Sequence, residues 1–190
     1  MGLANWLTVL RILLIPVFVS LLVYRRATAA LVVFCLASLT DILDGYIART
    51  RGRQTRLGAF LDPLADKLLL TASFVTLTYL YPWLLPFWIT VTVLSRDLLL
   101  ILGTALIHIA GGQVHPSPTG LGKASTALQM ATVLAALLVL AFQMDPRIKS
   151  VLVWATAGFT VASGIQYLYE GSRLLNQPVD RDPHVPTLVR

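Results

Sequence analysis

The amino-acid sequence predicts an all-α integral membrane protein with six transmembrane helices. Hydrophobic residues make up 56% of the 190 residues and charged residues only 13%, a balance far from that of soluble domains. A spanning helix needs about 20 mostly apolar residues, and the chain has six such stretches. In chain order these predicted spans are residues 7–24, 29–48, 57–80, 83–110, 121–144 and 148–169.

Each predicted span ends where the sequence changes to residues that stop helices, namely proline, glycine or clustered charges. The first span lacks the basic leader and the small-residue cleavage site of a signal peptide, so we predict a retained helix. The segments between the spans are Arg25-Arg26, residues 50–56, Tyr81-Pro82, residues 111–118 and Asp145-Pro146.

The basic residues predict the orientation, because lysine and arginine in short loops favour the cytoplasm. Four arginines lie between residues 49 and 56, which predicts that this loop and both termini are cytoplasmic, in what we expect to be a bacterial inner membrane. Residues 1–175 form the predicted membrane domain, and residues 176–190 a flexible cytoplasmic tail. The net charge of +6 comes without a basic stripe interleaved with aromatics, so we expect no nucleic-acid partner.

Four aspartates interrupt the second and third predicted helices, and each charge in a bilayer costs at least about 2.5 kcal/mol. Asp41 and Asp44 are three positions apart, and Asp62 and Asp66 are four apart, so each pair lies on one helical face. Helices joined by a short loop are antiparallel neighbours, which brings the two faces together near the cytoplasmic ends. A ligand set made only of oxygens favours Mg²⁺ or Mn²⁺ over zinc.

Small and basic residues next to the aspartates suggest a phosphate-containing ligand. Gly45 leaves room for a bulky ligand at the helix backbone, and Arg49 is placed to bind a diphosphate. Two cations bridged by carboxylates would suit phosphoryl transfer. An alternative is that Gly45 and Ala48 only let two membrane helices pack closely.

The run from Asp41 to Asp66 resembles the signature of the CDP-alcohol phosphatidyltransferases. It reads Asp-x2-Asp-Gly-x2-Ala-Arg-x8-Gly-x3-Asp-x3-Asp, and the resemblance extends to residues 5–11, 62–67, 95–97 and 122–129. The family implies a six-helix membrane domain, usually a homodimer. It also implies transfer of a phosphatidyl group from CDP-diacylglycerol to an alcohol, with release of CMP.

The resemblance also assigns roles to residues of this chain. Asp66 becomes the general base as well as a metal ligand. The implied ligands of two Mg²⁺ or Mn²⁺ ions are Asp41, Asp44, Asp62 and Asp66. The residues expected at the CDP site are Asn5, Thr8, Gly45, Ala48 and Arg49. The residues expected to contact the acceptor alcohol are Arg11, Arg96 and Lys123.

Two of the acceptor assignments have an alternative. Lys123 follows Gly120 and Gly122 at a predicted helix start, where free N–H groups favour an anion such as an acceptor phosphate. Lys123 would otherwise be a charge that snorkels to the membrane interface. Arg96 could hold an acceptor phosphate or form a structural counter-charge pair with Asp97.

The resemblance favours the branch with glycerol-based acceptors, and we predict glycerol 3-phosphate. Phosphatidylglycerol, the acceptor of CDP-dependent cardiolipin synthases, is the alternative, supported by residues 95–97 and 166–169. Inositol phosphate is a more distant alternative. An ion transporter could also hold acidic residues in membrane helices, but it would not explain Gly45, Ala48 and Arg49.

Overall fold

The computed structural model describes the backbone of residues 3–51, 56–109, 120–145 and 147–175. It describes the side chains of Trp6 and of residues 8–41, 64–103, 120–145 and 150–171. Within these ranges the chain forms six helices and no strand, as the sequence predicts. They are α1 (Leu3–Val23), α2 (Ala27–Arg51), α3 (Arg56–Leu80), α4 (Phe87–Ile109), α5 (Gly120–Phe142) and α6 (Arg147–Leu175).

The prediction that the fourth helix begins at Trp83 is wrong. Residues 81–86 form a turn in which the N–H groups of Leu84 and Leu85 donate to the carbonyl of Tyr81, at 2.8 and 3.2 Å. Pro82 and Pro86 flank this turn, and α4 begins only at Phe87. A proline is readily accepted just before or at the first turn of a helix, which places the start after Pro86.

Other predicted bounds are too short, because helices continue past their apolar part. The second helix runs to Arg51 rather than to residue 48, and the sixth runs to Leu175 rather than to residue 169. Within the described residues, only Gly120–Phe142 and Ser150–Gly171 are both long and apolar enough to cross a membrane. The apolar parts of the first two helices, Thr8–Val23 and Ala27–Asp41, are shorter.

The helices pack around one apolar core. The first helix packs against α2 and α3, while α5 lies between α2 and α6, and α4 packs mainly on α6. Phe18 and Phe34 join α1 to α2 with ring centroids 5.9 Å apart. Phe74 of α3 and Leu137 of α5 are completely buried in the same core. This packing brings the middle of α1 against the acidic half of α2.

A tight turn connects α1 to α2 at one end of the bundle. The N–H of Arg25 donates to the carbonyl of Leu22 at 3.0 Å, and that of Arg26 to Leu21 at 2.8 Å, the pattern of a Schellman motif. Arg25 has a positive φ of 57°, a conformation that glycine usually supplies. Its guanidinium lies 5.0 Å from the centre of the Tyr81 ring, so a cation–π contact holds the turn against α3.

A polar seam joins α5 to α6. Thr132 and Thr156 share a hydroxyl hydrogen bond of 2.7 Å, and Ser125 and Thr160 share one of 3.0 Å. The amide of Gln129 lies 3.4 Å from the hydroxyls of Ser125 and Thr160. All five side chains are buried. The contact between α5 and α6 is therefore made in part by buried polar side chains.

Candidate functional site

Arg11 and Asp41 form an ion pair between α1 and α2. The guanidinium lies 2.6 Å from a carboxylate oxygen of Asp41. The Arg11 side chain is 0% exposed and that of Asp41 is 33% exposed. A buried guanidinium needs a counter-charge, because an unpaired charge in an apolar interior is strongly destabilising. Arg11 thus fixes the orientation of the first aspartate of the signature.

Asp66 adds a second carboxylate to this group from α3. It is half-buried, and its charge interacts with those of Asp41, Arg11, Lys67 and Asp97. Asp41 and Asp66 therefore lie close enough for their charges to interact, and with Arg11 we call them the charged cluster.

A second ion-pair network connects α3, α4 and α6. One carboxylate oxygen of Asp97 accepts from the ammonium of Lys67 and from the guanidinium of Arg96, the latter at 2.9 Å. Arg96 also donates to the hydroxyl of Ser163 on α6 at 3.0 Å. Arg96 and Asp97 are each 6% exposed. This geometry is that of the counter-charge pair considered for Arg96, extended by Lys67 and Ser163.

Sequence reasoning missed Lys67 and Ser163 as members of this network. A signal was present for Lys67, because a lysine inside an apolar helix requires an anion nearby. The partner is 30 residues away on α4, so its identity depends on how α3 and α4 are rotated against each other. Ser163 has no comparable signal, since serine is common at close helix contacts.

The other predicted site residues fall into two groups. Thr8 is completely buried on α1, one turn before Arg11, and Lys123 is exposed in the first turn of α5. Those positions suit contact with a buried and an accessible ligand group, respectively. The remaining predicted residues lie outside the side chains that the structure describes: Asn5, Asp44, Gly45, Ala48, Arg49 and Asp62.

The described part of the site is compatible with a bound cation. No three acidic, histidine or cysteine side chains converge among the residues whose side chains are described. Asp66 has no ion-pair partner within 4 Å in that same set, although it lies near the charge of Asp41. Asp41 and Asp66 supply carboxylate oxygens, which are the ligands that a hard divalent cation prefers.

Comparison with known proteins decides the family. The family model for CDP-alcohol phosphatidyltransferases matches residues 1–162. The chain belongs to this family. The match includes α1 to α5 and the first half of α6, so the charged residues of both ion-pair networks lie within it. Ser163 lies one residue beyond the match.

Individual members of the family resemble this CDP-alcohol phosphatidyltransferase over most of its length. A probable phosphatidylglycerophosphate synthase of Mycobacterium tuberculosis is 36% identical over 180 residues, which cover 90% of this chain and 82% of that protein. The CDP-diacylglycerol–glycerol-3-phosphate 3-phosphatidyltransferase of Escherichia coli is 36% identical over 132 residues, covering 65% of this chain and 70% of that protein.

Human cardiolipin synthase (CMP-forming) is also similar, with 34% identity over 185 residues. The alignment covers 89% of this chain and 61% of the human protein, so the chain spans about three fifths of that relative. Relatives named for phosphatidylglycerophosphate synthesis and for cardiolipin synthesis are therefore similar to this family member at nearly the same level of identity.

Proposed function

We propose that this chain transfers the phosphatidyl group of CDP-diacylglycerol to glycerol 3-phosphate, forming phosphatidylglycerophosphate and CMP. The observation that carries the proposal is the charged cluster in which Asp41 of α2 and Asp66 of α3 share one region with Arg11. Membership of the family and the printed names of the Mycobacterium tuberculosis and Escherichia coli relatives support this reaction.

In the proposed reaction, the hydroxyl oxygen of the acceptor attacks the β-phosphorus of CDP-diacylglycerol. The bond between this phosphorus and the oxygen of the CMP group breaks, and CMP leaves with the bonding electrons. Asp66 accepts the proton of the attacking hydroxyl at a carboxylate oxygen. A positioned general base typically contributes about 10²- to 10⁴-fold to the rate, and Asp66 has no direct ion-pair partner within 4 Å among the described side chains.

The proposed cofactors are two Mg²⁺ or Mn²⁺ ions, held by Asp41, Asp44, Asp62 and Asp66. When bound, such ions stabilise negative charge on phosphate oxygens and balance the carboxylates. Arg11 complements them by holding Asp41 from the side of α1, at 2.6 Å. The carboxylate set contains only hard oxygen donors, which agrees with these metals.

The substrates would be held by residues around this cluster. We assign CDP to Asn5, Thr8, Gly45, Ala48 and Arg49, and the acceptor to Arg11 and Lys123. The exposure of Lys123 in the first turn of α5 supports a contact with a soluble phosphate. For Arg96, the contacts with Asp97 and Ser163 favour a supporting role over direct binding.

We further propose that all six helices span a membrane, with the carboxylate cluster facing the cytoplasm. On α6, Val151, Trp154 and Ile165 are 74%, 70% and 62% exposed, whereas its polar Thr156 and Thr160 are buried against α5. Apolar side chains outside and polar ones inside suit a hydrocarbon environment. The membrane domain would comprise residues 1–175 with a flexible tail at 176–190, and would act as a homodimer in a bacterial inner membrane.

Cardiolipin synthesis from phosphatidylglycerol is the second candidate function. The human cardiolipin synthase is 34% identical over 89% of this chain, close to the identity with the glycerol-phosphate enzymes. The two reactions differ in the acceptor only, since both consume CDP-diacylglycerol and release CMP.

The experiment that tests the proposal supplies each acceptor separately. Purified protein in detergent is incubated with CDP-diacylglycerol, Mg²⁺ and either glycerol 3-phosphate or phosphatidylglycerol, and CMP and the lipid product are measured. We expect phosphatidylglycerophosphate to form only with glycerol 3-phosphate. Its formation should stop when a chelator removes the Mg²⁺. Cardiolipin as the product would establish the second candidate, and no release of CMP with any acceptor would refute the transferase function.

A further inference from the structure

A groove lies at the opposite end of the bundle from Asp41 and Asp66. Its volume is about 550 Å³, and it lies between the α1–α2 turn and the last turn of α5. Arg25, Arg26 and Thr28 form its polar side, and Val32, Leu140 and Ala141 form its apolar side. Along α2, Ala27 and Asp41 are separated by about 21 Å, at 1.5 Å per residue, so this groove is distinct from the proposed active site.

The polar side of the groove carries two adjacent positive charges. Among the described residues, no carboxylate lies within 4 Å of either guanidinium. Arg25 is fixed by its contact with Tyr81, 5.0 Å from the ring centre, and Arg26 has no ion-pair or hydrogen-bond partner for its side chain in that part of the chain. The guanidinium of Arg26 is thus a positive charge in the groove that has no partner among the described residues.

The position of these arginines is unfavourable unless they bind something. Basic residues are disfavoured in short loops on the side of the membrane away from the cytoplasm, where the proposed orientation puts this turn. Two adjacent positive charges are not needed to connect two helices.

The chemistry of the two sides identifies one kind of occupant. Two guanidiniums bind a phosphate group well, because their N–H groups match its oxygens. The apolar side is formed by α2 and α5, and Val32 is 53% exposed on the outer surface of the bundle, where an acyl chain would lie. A headgroup with its own ammonium would be repelled by the arginine pair, so a lipid with an uncompensated phosphate is favoured.

We propose that this groove binds one anionic phospholipid, with its phosphate at Arg25 and Arg26 and an acyl chain against Val32 and Leu140. The site takes a phospholipid such as phosphatidylglycerol from the leaflet opposite the carboxylate cluster. The inference rests on the proposed membrane placement and is independent of the transferase activity.

The test measures lipid bound to the purified full-length protein by native mass spectrometry. The protein is titrated with dioleoyl-phosphatidylglycerol or dioleoyl-phosphatidylcholine, and inorganic phosphate is added as a competitor. The arginine variant combines Arg25→Asn with Arg26→Gln, because asparagine tolerates the left-handed conformation. The variant Ala141→Phe fills the groove and keeps its charge. The double variant Arg147→Gln/Lys149→Gln removes the same charge elsewhere on this side.

We expect the wild-type protein to retain one more phosphatidylglycerol than the arginine variant, whose affinity for this lipid falls on the order of tenfold. Ala141→Phe should lose the same lipid, while the Arg147/Lys149 variant keeps it and inorganic phosphate does not displace it. Equal retention by the wild-type and arginine variants would overturn the proposal. The proposal would also be overturned if the wild-type protein retained phosphatidylcholine as well as phosphatidylglycerol, or if inorganic phosphate displaced the lipid. Loss of the lipid in the Arg147/Lys149 variant to the same extent as in the arginine variant would overturn it too.

Release of CMP from CDP-diacylglycerol is measured on the same samples. The arginine variant should release CMP at the wild-type rate, because Arg25 and Arg26 lie in the turn before α2, at the end of the bundle away from Asp41. If the lipid is retained as expected while no sample releases CMP, the proposed transferase function fails and the lipid site stands. If CMP is released but no lipid is lost on substitution, the lipid site fails alone.

Discussion

Arg11 and Asp41 are joined by an ion pair of 2.6 Å, with the arginine completely buried between helices. The pair links α1 to the first carboxylate of the aspartate signature. A family resemblance can assign Arg11 to the acceptor, but the contact shows that it also determines where an oxygen of Asp41 lies. The integrity of the carboxylate cluster is therefore tied to the packing of α1.

Replacing Arg11 by methionine should destabilise the protein and abolish activity. The substitution leaves Asp41 without its direct counter-charge, and because Asp41 is 33% exposed and partly solvated, we expect a loss of about 1–3 kcal/mol. Arg11→Lys keeps the charge and should lose less. Unfolding in detergent and release of CMP are measured for both variants. A wild-type unfolding midpoint for Arg11→Met would contradict the structural role of the pair.

The network at Asp97 should behave as a coupled unit. Asp97→Asn leaves Lys67 and Arg96 without their shared anion, so we expect it to lower the free energy of unfolding more than Lys67→Met does. The difference should be about 1–3 kcal/mol, because Lys67 is 28% exposed and partly solvated. The double variant Lys67→Met/Asp97→Asn completes a thermodynamic cycle. Additive effects of the two substitutions would show that the residues do not interact.

The ion pairs Arg11–Asp41 and Lys67–Asp97 are features that the sequence does not predict, whereas it does predict the helices that carry them. Apolar runs and their breaks predict six helices, because a helix long enough to bury one face leaves a clear local pattern. The start of α4 was misplaced, since Trp83 is apolar but lies between Pro82 and Pro86, in the turn. The pairing of Lys67 with Asp97 depends on the relative rotation of two helices, which no local pattern fixes.

The sequence predicts which side chains of the site share a helical face, because this depends only on their spacing along the helix. Aspartates three and four positions apart predict two acidic faces, and the charges of Asp41 and Asp66, one from each predicted face, interact. Asp44 and Asp62 lie outside the side chains that the structure describes. The partner of Arg11 was not predicted, because any of the aspartates of α2 and α3, or a ligand, could have balanced it. The partner of Arg11 is determined by how far α1 is shifted along α2. This shift depends on core contacts such as the one between Phe18 and Phe34.

A methyl group at position 103 should be destabilising. A Cβ there would lie 2.6 Å from Cε1 of Tyr167, whose hydroxyl donates to the carbonyl of Leu100 at 3.3 Å. Displacing the ring costs about 1–3 kcal/mol, which exceeds the gain of at most about 1 kcal/mol in helix propensity. Gly103→Ala should therefore lower the unfolding midpoint.

Gly158→Ala is the matched control for that substitution. A Cβ at position 158 meets nothing within 4 Å, so this variant should be neutral or more stable than the wild type. Both variants are compared by thermal unfolding in the same detergent. If Gly103→Ala is as stable as Gly158→Ala, the close approach of Tyr167 to α4 is not present in solution.

The seam between α5 and α6 should contribute a small, measurable coupling. Thr132 and Thr156 share a buried hydrogen bond of 2.7 Å, and such bonds between membrane helices average about 0.6 kcal/mol, with a maximum near 1.7 kcal/mol. Thr132→Val, Thr156→Val and the double variant form the cycle, measured by unfolding in detergent. A coupling energy of zero would indicate that the two hydroxyls bond to other partners.

The central claim is that Asp41 and Asp66 serve one reaction of CDP-diacylglycerol. Its most direct measurement is Mg²⁺-dependent release of CMP by Asp41→Asn, Asp66→Asn and the double variant, with Asp145→Asn at the other end of the bundle as the control. We predict a loss of at least about 10²-fold in each single variant, no further loss in the double variant because the residues act as a unit, and a normal rate in the control. A single variant with the wild-type rate would contradict the claim.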